Sequence, residues 1–156
     1  MAAYETEPSR SSRGEHRRSS RDVACATHVF AAQVGAGPEL VWAALTDPDQ
    51  TVAYLYGLAV HSRWAPGDPI EFRKAGQVEA IGSVLHARCH ERLSYLMQAG
   101  PDDPPVFLTW LLRPTSRGCV VRLEVDEPDT PDTPQDAEDI WLPVLAALQL
   151  LVTSAR

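Results

Sequence analysis

Cysteine is scarce in this sequence, which has three cysteines among 156 residues, namely Cys25, Cys89 and Cys119. Three thiols cannot all pair with one another, and their spacing matches no zinc-ligand pattern. The sequence therefore predicts neither a disulfide-bonded scaffold nor a metal site. It shows no cofactor-binding motif, so we expect no cofactor. We expect free thiols, which a reducing cytoplasm maintains, and we predict a cytoplasmic protein.

Long apolar runs are missing as well, and none approaches the length that crosses a membrane. The pair Arg17-Arg18 resembles the start of a twin-arginine export signal, but the residues that follow it, 19–22, are polar. The sequence therefore predicts neither a membrane span nor an export signal.

Basic residues are fewer than acidic residues. The 14 lysines and arginines face 21 aspartates and glutamates, which gives a net charge of −7, and Lys74 is the only lysine. A nucleic-acid-binding protein neutralises phosphates with a basic face. The charge balance therefore argues against nucleic acid as the main partner.

The motifs of several common catalytic and ion-binding loops are absent. There is no glycine-rich phosphate-binding loop, and neither Ser83 nor Ser94 lies in a G-x-S-x-G frame. The acidic stretch 126–132 resembles a calcium loop only in its charge, because the D-x-D-x-D-G spacing and the closing glutamate are missing. We interpret that stretch as a solvated loop, and we find no support for an acyl-transfer nucleophile.

What the sequence does have is enough apolar residues, 44% of the chain, to build one hydrophobic core. Residues 1–22 contain almost nothing apolar and are rich in serine and arginine. Such a segment cannot bury enough surface to offset its ordering entropy. We therefore predict a disordered tail over 1–22 and a single domain over 23–156.

The pattern along that domain predicts one strand, two short helices and then a series of strands. The first strand is predicted at Cys25–Val34, a helix at Pro38–Thr46, with Trp42 as its core anchor, and a second short helix or turn at 49–55. Turn signals such as Pro-Gly-Asp separate the later strands, and this short spacing is typical of an antiparallel meander. Those strands are predicted at 58–64, 70–73, 78–88, 93–99, 106–113 and 119–126.

The last predicted element is a helix with one apolar stripe. Its apolar residues follow the spacing of a single helical face: Trp141, Val144, Leu145, Leu148, Leu151 and Val152. Because a proline breaks a helix interior, we place Pro143 in the first turn and Asp139 near the N-cap.

Several blocks of the sequence match a known family pattern in the same order. Residues 36–48, A-G-P-E-L-V-W-A-A-L-T-D-P, match A-S-P-E-x-V-W-x-A-L-T-D-P, with Gly37 in place of the usual serine. Later blocks match at 62–70, 82–85, 92–95, 110–114 and 121–123, and His86 stands where a glutamate is usual. Over about 29–153 the chain therefore resembles the SRPBCC superfamily. Within it, the chain resembles bacterial single-domain members of the family named for the activator of heat-shock-protein-90 ATPase.

This resemblance implies an α+β helix-grip fold, as in START-like and birch-pollen-allergen-like proteins. A curved antiparallel sheet wraps around a long C-terminal helix, and two short helices follow the first strand. The resemblance also implies an apolar cavity between sheet and helix. The residues that we expect to bind ligand there are Trp42, Tyr54, Tyr56, Trp64, Phe72, His86, Tyr95, Trp110, Trp141, Leu145 and Leu148.

The function that we favour is non-catalytic binding of a small hydrophobic molecule of the lipid, acyl or polyaromatic kind. One alternative is a chaperone-cofactor-like or regulatory domain whose partner is another protein; it should have a filled cavity and an exposed apolar patch. The other is a cyclase- or hydrolase-like enzyme, in which His61 or His86 acts with Tyr54 or Tyr95. Such an enzyme should place two titratable groups within hydrogen-bond reach in the pocket.

Overall fold

The computed structural model describes residues 25–128 and 133–155. The predicted tail, residues 1–22, and residues 129–132 of the predicted acidic loop lie outside the described residues. The elements of the described chain are β1 (Cys25–Val34), α1 (Pro38–Thr46), α2 (Pro48–Tyr54), β2 (Ala59–His61), β3 (Pro69–Lys74), β4 (Gln77–Arg88), β5 (Arg92–Gln98), β6 (Val106–Thr115), β7 (Gly118–Pro128) and α3 (Thr133–Ala155). The predicted bounds of β1 and α1 are confirmed.

The strands form a seven-stranded sheet in the order β1-β7-β6-β5-β4-β3-β2, and every neighbouring pair is antiparallel. Strands β2 to β7 follow one another as a meander, and β1 closes the other edge by pairing with β7. Helices α1 and α2 connect β1 to β2 at the opposite edge, and α3 packs against β1, α1 and α2. This is the predicted helix-grip arrangement.

Side chains alternate between two faces of the sheet, which we call the inner face, towards the helices, and the outer face. On β6, Trp110 and Leu112 are buried on the inner face, whereas Leu111 and Arg113 point to the outer face. The inner face and the stripe of α3 form one hydrophobic core. Val144, Leu148 and Val152 of α3 are almost completely buried in it.

Helix α3 starts earlier than predicted, at Thr133, so Asp139 is not near its N-cap and Pro143 lies inside it. The missing N–H of Pro143 removes one helical hydrogen bond, at a cost of about 3 kcal/mol. The position is exposed, while Trp141 and Val144 beside it are buried and contribute about 1.5–3 kcal/mol each. Burial of the stripe therefore outweighs the proline.

The same helix meets the length and composition of a membrane-crossing segment over Asp136–Ser154, with a mean hydropathy of 1.3. The core helix of a folded domain passes the same test, and the apolar stripe of α3 faces the sheet. The hydropathy of α3 is therefore weak evidence for a membrane span.

Strand β7 extends further than predicted, to Pro128, so Asp126 and Glu127 are not part of a solvated loop. They pair with Thr27 and Ala26 of β1, and the Thr27 hydroxyl donates a hydrogen bond to the Asp126 carboxylate. Pairing with a full-length β1 thus overrides the polar character of this stretch.

Strand β2 is shorter than predicted, because it ends at His61. Trp64 has a φ of 64°, in the left-handed region that a bulky residue rarely adopts. The chain therefore turns at this point and does not continue as a strand.

Two glycines permit close approaches between backbones. A Cβ on Gly118, which has a φ of 139°, would lie 2.2 Å from the carbonyl oxygen of Val34. A Cβ on Gly82 would lie 1.8 Å from the carbonyl oxygen of Leu96. Both positions therefore require glycine for the strands to approach as they do.

Candidate functional site

Five of the predicted ligand-binding residues form one aromatic cluster on the inner side of the sheet: Tyr54, Trp64, Phe72, Tyr95 and Trp110. The ring centroids of Tyr54 and Trp110 are 6.3 Å apart, edge to face. Tyr95 contacts Trp64 at 5.9 Å and Phe72 at 6.0 Å. The cluster therefore joins α2, the β2–β3 loop and strands β3, β5 and β6.

The polar atoms of this cluster are hydrogen-bonded within the protein. The Trp110 indole Nε1–H donates to the Tyr95 hydroxyl at 3.2 Å, and the Tyr54 hydroxyl donates to the Ala44 carbonyl at 3.0 Å. The Trp64 indole donates to the Thr46 carbonyl at 3.0 Å, which ties the left-handed Trp64 to the end of α1. The rings are thus held in fixed positions by neighbouring elements.

Burial also fixes the protonation state of the two buried tyrosines. Desolvation raises the pKa of Tyr95 to about 12, although the hydrogen bond from Trp110 acts in the opposite direction. Desolvation, with a smaller contribution from Tyr95, raises the pKa of Tyr54 well above its usual value. Both phenols are therefore neutral at physiological pH and do not supply a base.

The residues of α3 that we predicted to contact ligand are buried, as the apolar stripe of this helix predicts. Trp141, Leu145 and Leu148 lie on one face of α3 with no more than 5% of their surface exposed. They belong to the same hydrophobic core as the aromatic cluster. Residues that the sequence singled out therefore lie on both sides of the packed interface between α3 and the inner face of the sheet.

Three predicted residues lie away from the cluster. Tyr56 is 52% exposed, and its hydroxyl donates to the Ile140 carbonyl on the outside of α3. Trp42 is only half-buried and meets His90 edge to face at 6.2 Å. His86 is exposed and lines a groove on the outer face of the sheet. Trp42 is consequently not the core anchor of α1.

The core side of α1 consists instead of Val41, Ala44 and Leu45, which are almost fully buried. One hundred degrees of rotation per residue place Val41 and Leu45 on one helical face, and Trp42 on the edge of that face. Packing of the smaller side chains therefore sets the position of α1.

Two polar residues that the sequence did not single out, His28 and Glu127, point to the inner face. His28 lies on β1 in the same alternation as Phe30, and Glu127 lies on β7 in the same alternation as Val125. The His28 Nε2 and Glu127 Oε2 atoms are buried and have no hydrogen-bond partner. The alternation of side chains along β1 could have predicted the inward direction of His28. The direction of Glu127 could not be predicted, because we assigned that residue to a loop.

These two residues are diagonal neighbours on adjacent strands. Glu127 pairs with Ala26, two residues from His28, and such diagonal positions are about 7–8 Å apart. Their unpaired atoms therefore border one region of the inner face, at the end of the sheet next to the start of α3. Over 25–128 and 133–155, no group of three or more His, Cys, Asp or Glu residues is placed to hold a metal ion.

Fold and site together define a helix-grip protein, a fold of a small-molecule-binding kind. A family profile described as activator of Hsp90 ATPase homolog 1-like protein matches residues 35–153. The chain belongs to this family. None of the curated proteins that were compared with the chain matches it significantly.

Solved structures share the fold over most of the chain. Protein MLL2253 from Mesorhizobium loti is 25% identical and has a TM-score of 0.70, and the match covers 84% of this chain and 99% of that one. CV1439 from Chromobacterium violaceum is 25% identical, with a TM-score of 0.64 and coverages of 81% and 97%. CalU16 from Micromonospora echinospora is 18% identical, with a TM-score of 0.66 and coverages of 81% and 76%. At that identity, the likeness to CalU16 concerns the fold alone.

Proposed function

We propose that this protein is a non-catalytic module that binds a small hydrophobic molecule between the inner face of the sheet and α3. The observation that carries the proposal is the pair of buried, unpartnered atoms on His28 and Glu127 within an otherwise apolar interface. A buried polar atom without a partner costs about 1–3 kcal/mol. A ligand with a hydroxyl or amide group at this end would satisfy both atoms.

The rest of the interface supports an apolar body for that ligand. The aromatic cluster and the α3 face of Trp141, Leu145 and Leu148 offer apolar surface and rings in edge-to-face contact. Pockets of this composition, with a few polar groups that fix orientation, suit lipid, acyl or polyaromatic ligands. The family and the fold support a ligand-binding or polyketide-cyclase-like module in general terms.

The positions of the predicted acid–base groups support a non-catalytic role. His61 is exposed on the edge strand β2, and His86 is exposed on the outer face. Tyr54 and Tyr95 are neutral phenols already engaged with Ala44 and Trp110. The hydroxyl groups of both tyrosines thus have partners other than these histidines, which supports the binding module over the enzyme.

One observation favours a second candidate, a cyclase-like enzyme. His28 and Glu127 are an imidazole and a carboxylate that border the same region of the inner face. An imidazole with an unpaired ring nitrogen beside bound substrate is a suitable general base. In this alternative His28 moves a proton on the ligand, whereas in the favoured proposal it only donates or accepts a hydrogen bond.

The decisive experiment measures binding of the uncharged fluorescent probe Nile red to two variants of α3. Leu145→Trp inserts bulk at a position that is 3% exposed, and the matched control Leu150→Trp inserts it at a position that is 71% exposed. We expect L145W to weaken probe binding at least about tenfold while the protein stays folded, because the added ring occupies the ligand space. L150W should bind as wild type.

Equal binding by L145W and L150W would show that the probe does not enter the interface, and would overturn the proposal. Mass spectrometry of small molecules that copurify with the native protein then identifies the ligand class. Incubation of that molecule with the protein separates the two candidates, since conversion to a product requires the enzyme and unchanged release requires the binding module.

A further inference from the structure

The outer face of the sheet carries a groove of about 630 Å³ in which most of the charged side chains are arginines. Its volume is that of a small-molecule site, for which about 300–1,000 Å³ is typical. The residues that line it are Ala31, His86, Arg88, Glu91, Arg92, Leu111, Leu112, Arg113, Val120 and Arg122. The sequence suggested no binding role for these arginines, although Arg92, Arg113 and Arg122 lie in blocks that match the family pattern. His86 was a predicted ligand contact.

Strand register arranges three of the arginines around Leu111. Arg92 of β5 and Arg122 of β7 are the direct partners of Leu111 on its two sides. Because neighbouring strands are about 4.8 Å apart, the Cα atoms of these two arginines are about 10 Å apart. Arg113 lies two residues further along β6, on the same face and about 7 Å from Leu111. Three arginines therefore surround one leucine on the outer face.

The arginines of the groove are only partly neutralised. Arg88 pairs with Glu91 at 3.3 Å and Arg122 with Glu124 at 3.0 Å. Within the described ranges Arg92 and Arg113 make no ion pair. Arg88 is moreover the direct cross-strand partner of Arg92, an arrangement in which like charges repel. The groove thus concentrates uncompensated positive charge in a protein whose net charge is −7.

We propose that this groove is a second ligand site, which binds a small organic anion. Arg92, Arg113 and Arg122 hold its phosphate or carboxylate group, and Leu111 and Val120 contact its apolar body. Arginine suits this role because its planar guanidinium donates two parallel hydrogen bonds to a carboxylate or phosphate. The anion also relieves the repulsion among the arginines.

The site is independent of the interface between the sheet and α3, since it lies on the opposite face of the same strands. Its occupant is a small molecule and not a nucleic acid, because Glu91 and Glu124 pair with two of the arginines and the net charge of the protein is −7. A phosphate ester and a carboxylate share the recognition chemistry, and the experiment separates them.

Isothermal titration calorimetry at low salt tests the site with phenyl phosphate, phenylacetate and inorganic phosphate. The protein variants are Arg92→Gln, Arg113→Gln and the control Arg117→Gln, which removes an exposed arginine in the β6–β7 turn outside the groove. We expect phenyl phosphate or phenylacetate to bind wild type, and R92Q and R113Q each to bind about tenfold more weakly, since each loses a charge-assisted hydrogen bond. R117Q should bind as wild type, and added salt should weaken all binding.

The difference between the two aryl probes identifies the anionic group, and weaker binding of inorganic phosphate supports the contact with Leu111. Absence of binding by all three probes at low salt overturns the proposal, and so does an equal effect of R117Q and R92Q. Sedimentation of the same variants tests the remaining candidate occupant of the groove, a segment of a second copy of this protein. If wild type forms dimers that R92Q disrupts and no probe binds, an acidic segment of a second copy fills the groove and the proposal is wrong.

Discussion

Replacement of Trp110 by phenylalanine tests whether the aromatic cluster is held by its internal hydrogen bond. Trp110 is completely buried, and its indole donates to the Tyr95 hydroxyl at 3.2 Å. Loss of that donor leaves a buried hydroxyl without its partner, at about 1–3 kcal/mol. The smaller ring leaves a void that costs about 1–2 kcal/mol, a fraction of the 3–5 kcal/mol of full truncation. Together the expected loss of unfolding free energy is about 2–5 kcal/mol.

Urea denaturation followed by far-UV circular dichroism measures this loss without relying on tryptophan emission. A double-mutant cycle with Tyr95→Phe isolates the hydrogen bond, because the second change costs less once its partner is gone. We expect a coupling energy of about 1–2 kcal/mol. Trp42→Phe is the matched control, and it should cost less than about 1 kcal/mol because Trp42 is only half-buried. A loss below about 1 kcal/mol for Trp110→Phe, with additive effects in the cycle, refutes the reasoning.

Three further predictions concern titratable and reactive side chains. Because burial raises the folded-state pKa of Tyr95 to about 12, its contribution to stability is complete below about pH 10, and between pH 10 and 12 the unfolding free energy should fall by about 1.4 kcal/mol per pH unit. The raised pKa of Tyr54 should steepen this fall, and Tyr54→Phe should reduce the slope in urea titrations. In a Cys25→Ser background, iodoacetamide should modify the exposed Cys89 quickly. It should modify the buried Cys119 only after unfolding, because burial raises the pKa of that thiol. Equal modification rates of the two thiols, measured by mass spectrometry, would contradict the burial of Cys119. His28→Leu should leave the ligand-free protein as stable or up to about 2 kcal/mol more stable, since it removes an unsatisfied buried atom, yet weaken binding of the copurified ligand; a loss of stability would show that His28 has a partner.

The overall fold was predictable because its signals are local and repeated. The Pro38 start and Asp47-Pro48 end of α1 fix that helix, and short turns between apolar strands leave an antiparallel meander as the simple solution. The start of α3 was missed although the same logic applies to it, because Thr133 followed by Pro134, with Asp136 in the first turn, is a helix-start signal. The stripe that begins at Trp141 and the proline at 143 both suggested a later start, whereas the completely buried Ala137 extends the stripe by one turn before Trp141.

The candidate site was only partly predictable, because the sequence does not always determine on which face of the sheet a side chain lies. Phe72 on β3 and Tyr95 on β5 each follow a polar residue that follows an apolar one, so their inward direction follows from the sequence. Trp110 is followed by Leu111 and Leu112, so the sequence of β6 does not assign its face. His86 follows a register shift between Val84 and His86 in the pairing of β4 with β5, and such a bulge changes the face on which later residues lie. Its outward position therefore depends on pairing that the sequence does not reveal.

The pairing register of the strands determines at once which residues lie on the inner face of the sheet and which lie on the outer face. On the inner face Leu93, Trp110 and Leu123 stand in one row across β5, β6 and β7, and the neighbouring row on the outer face is Arg92, Leu111 and Arg122. A slip of one residue in any of these strands would expose Trp110 or Leu123 and turn an arginine towards the core. An unpaired buried guanidinium is far costlier than a lost apolar contact, so the arginines exclude the slipped pairing. The arginines on the outer face therefore also favour the strand register that places Trp110 and Leu123 on the inner face.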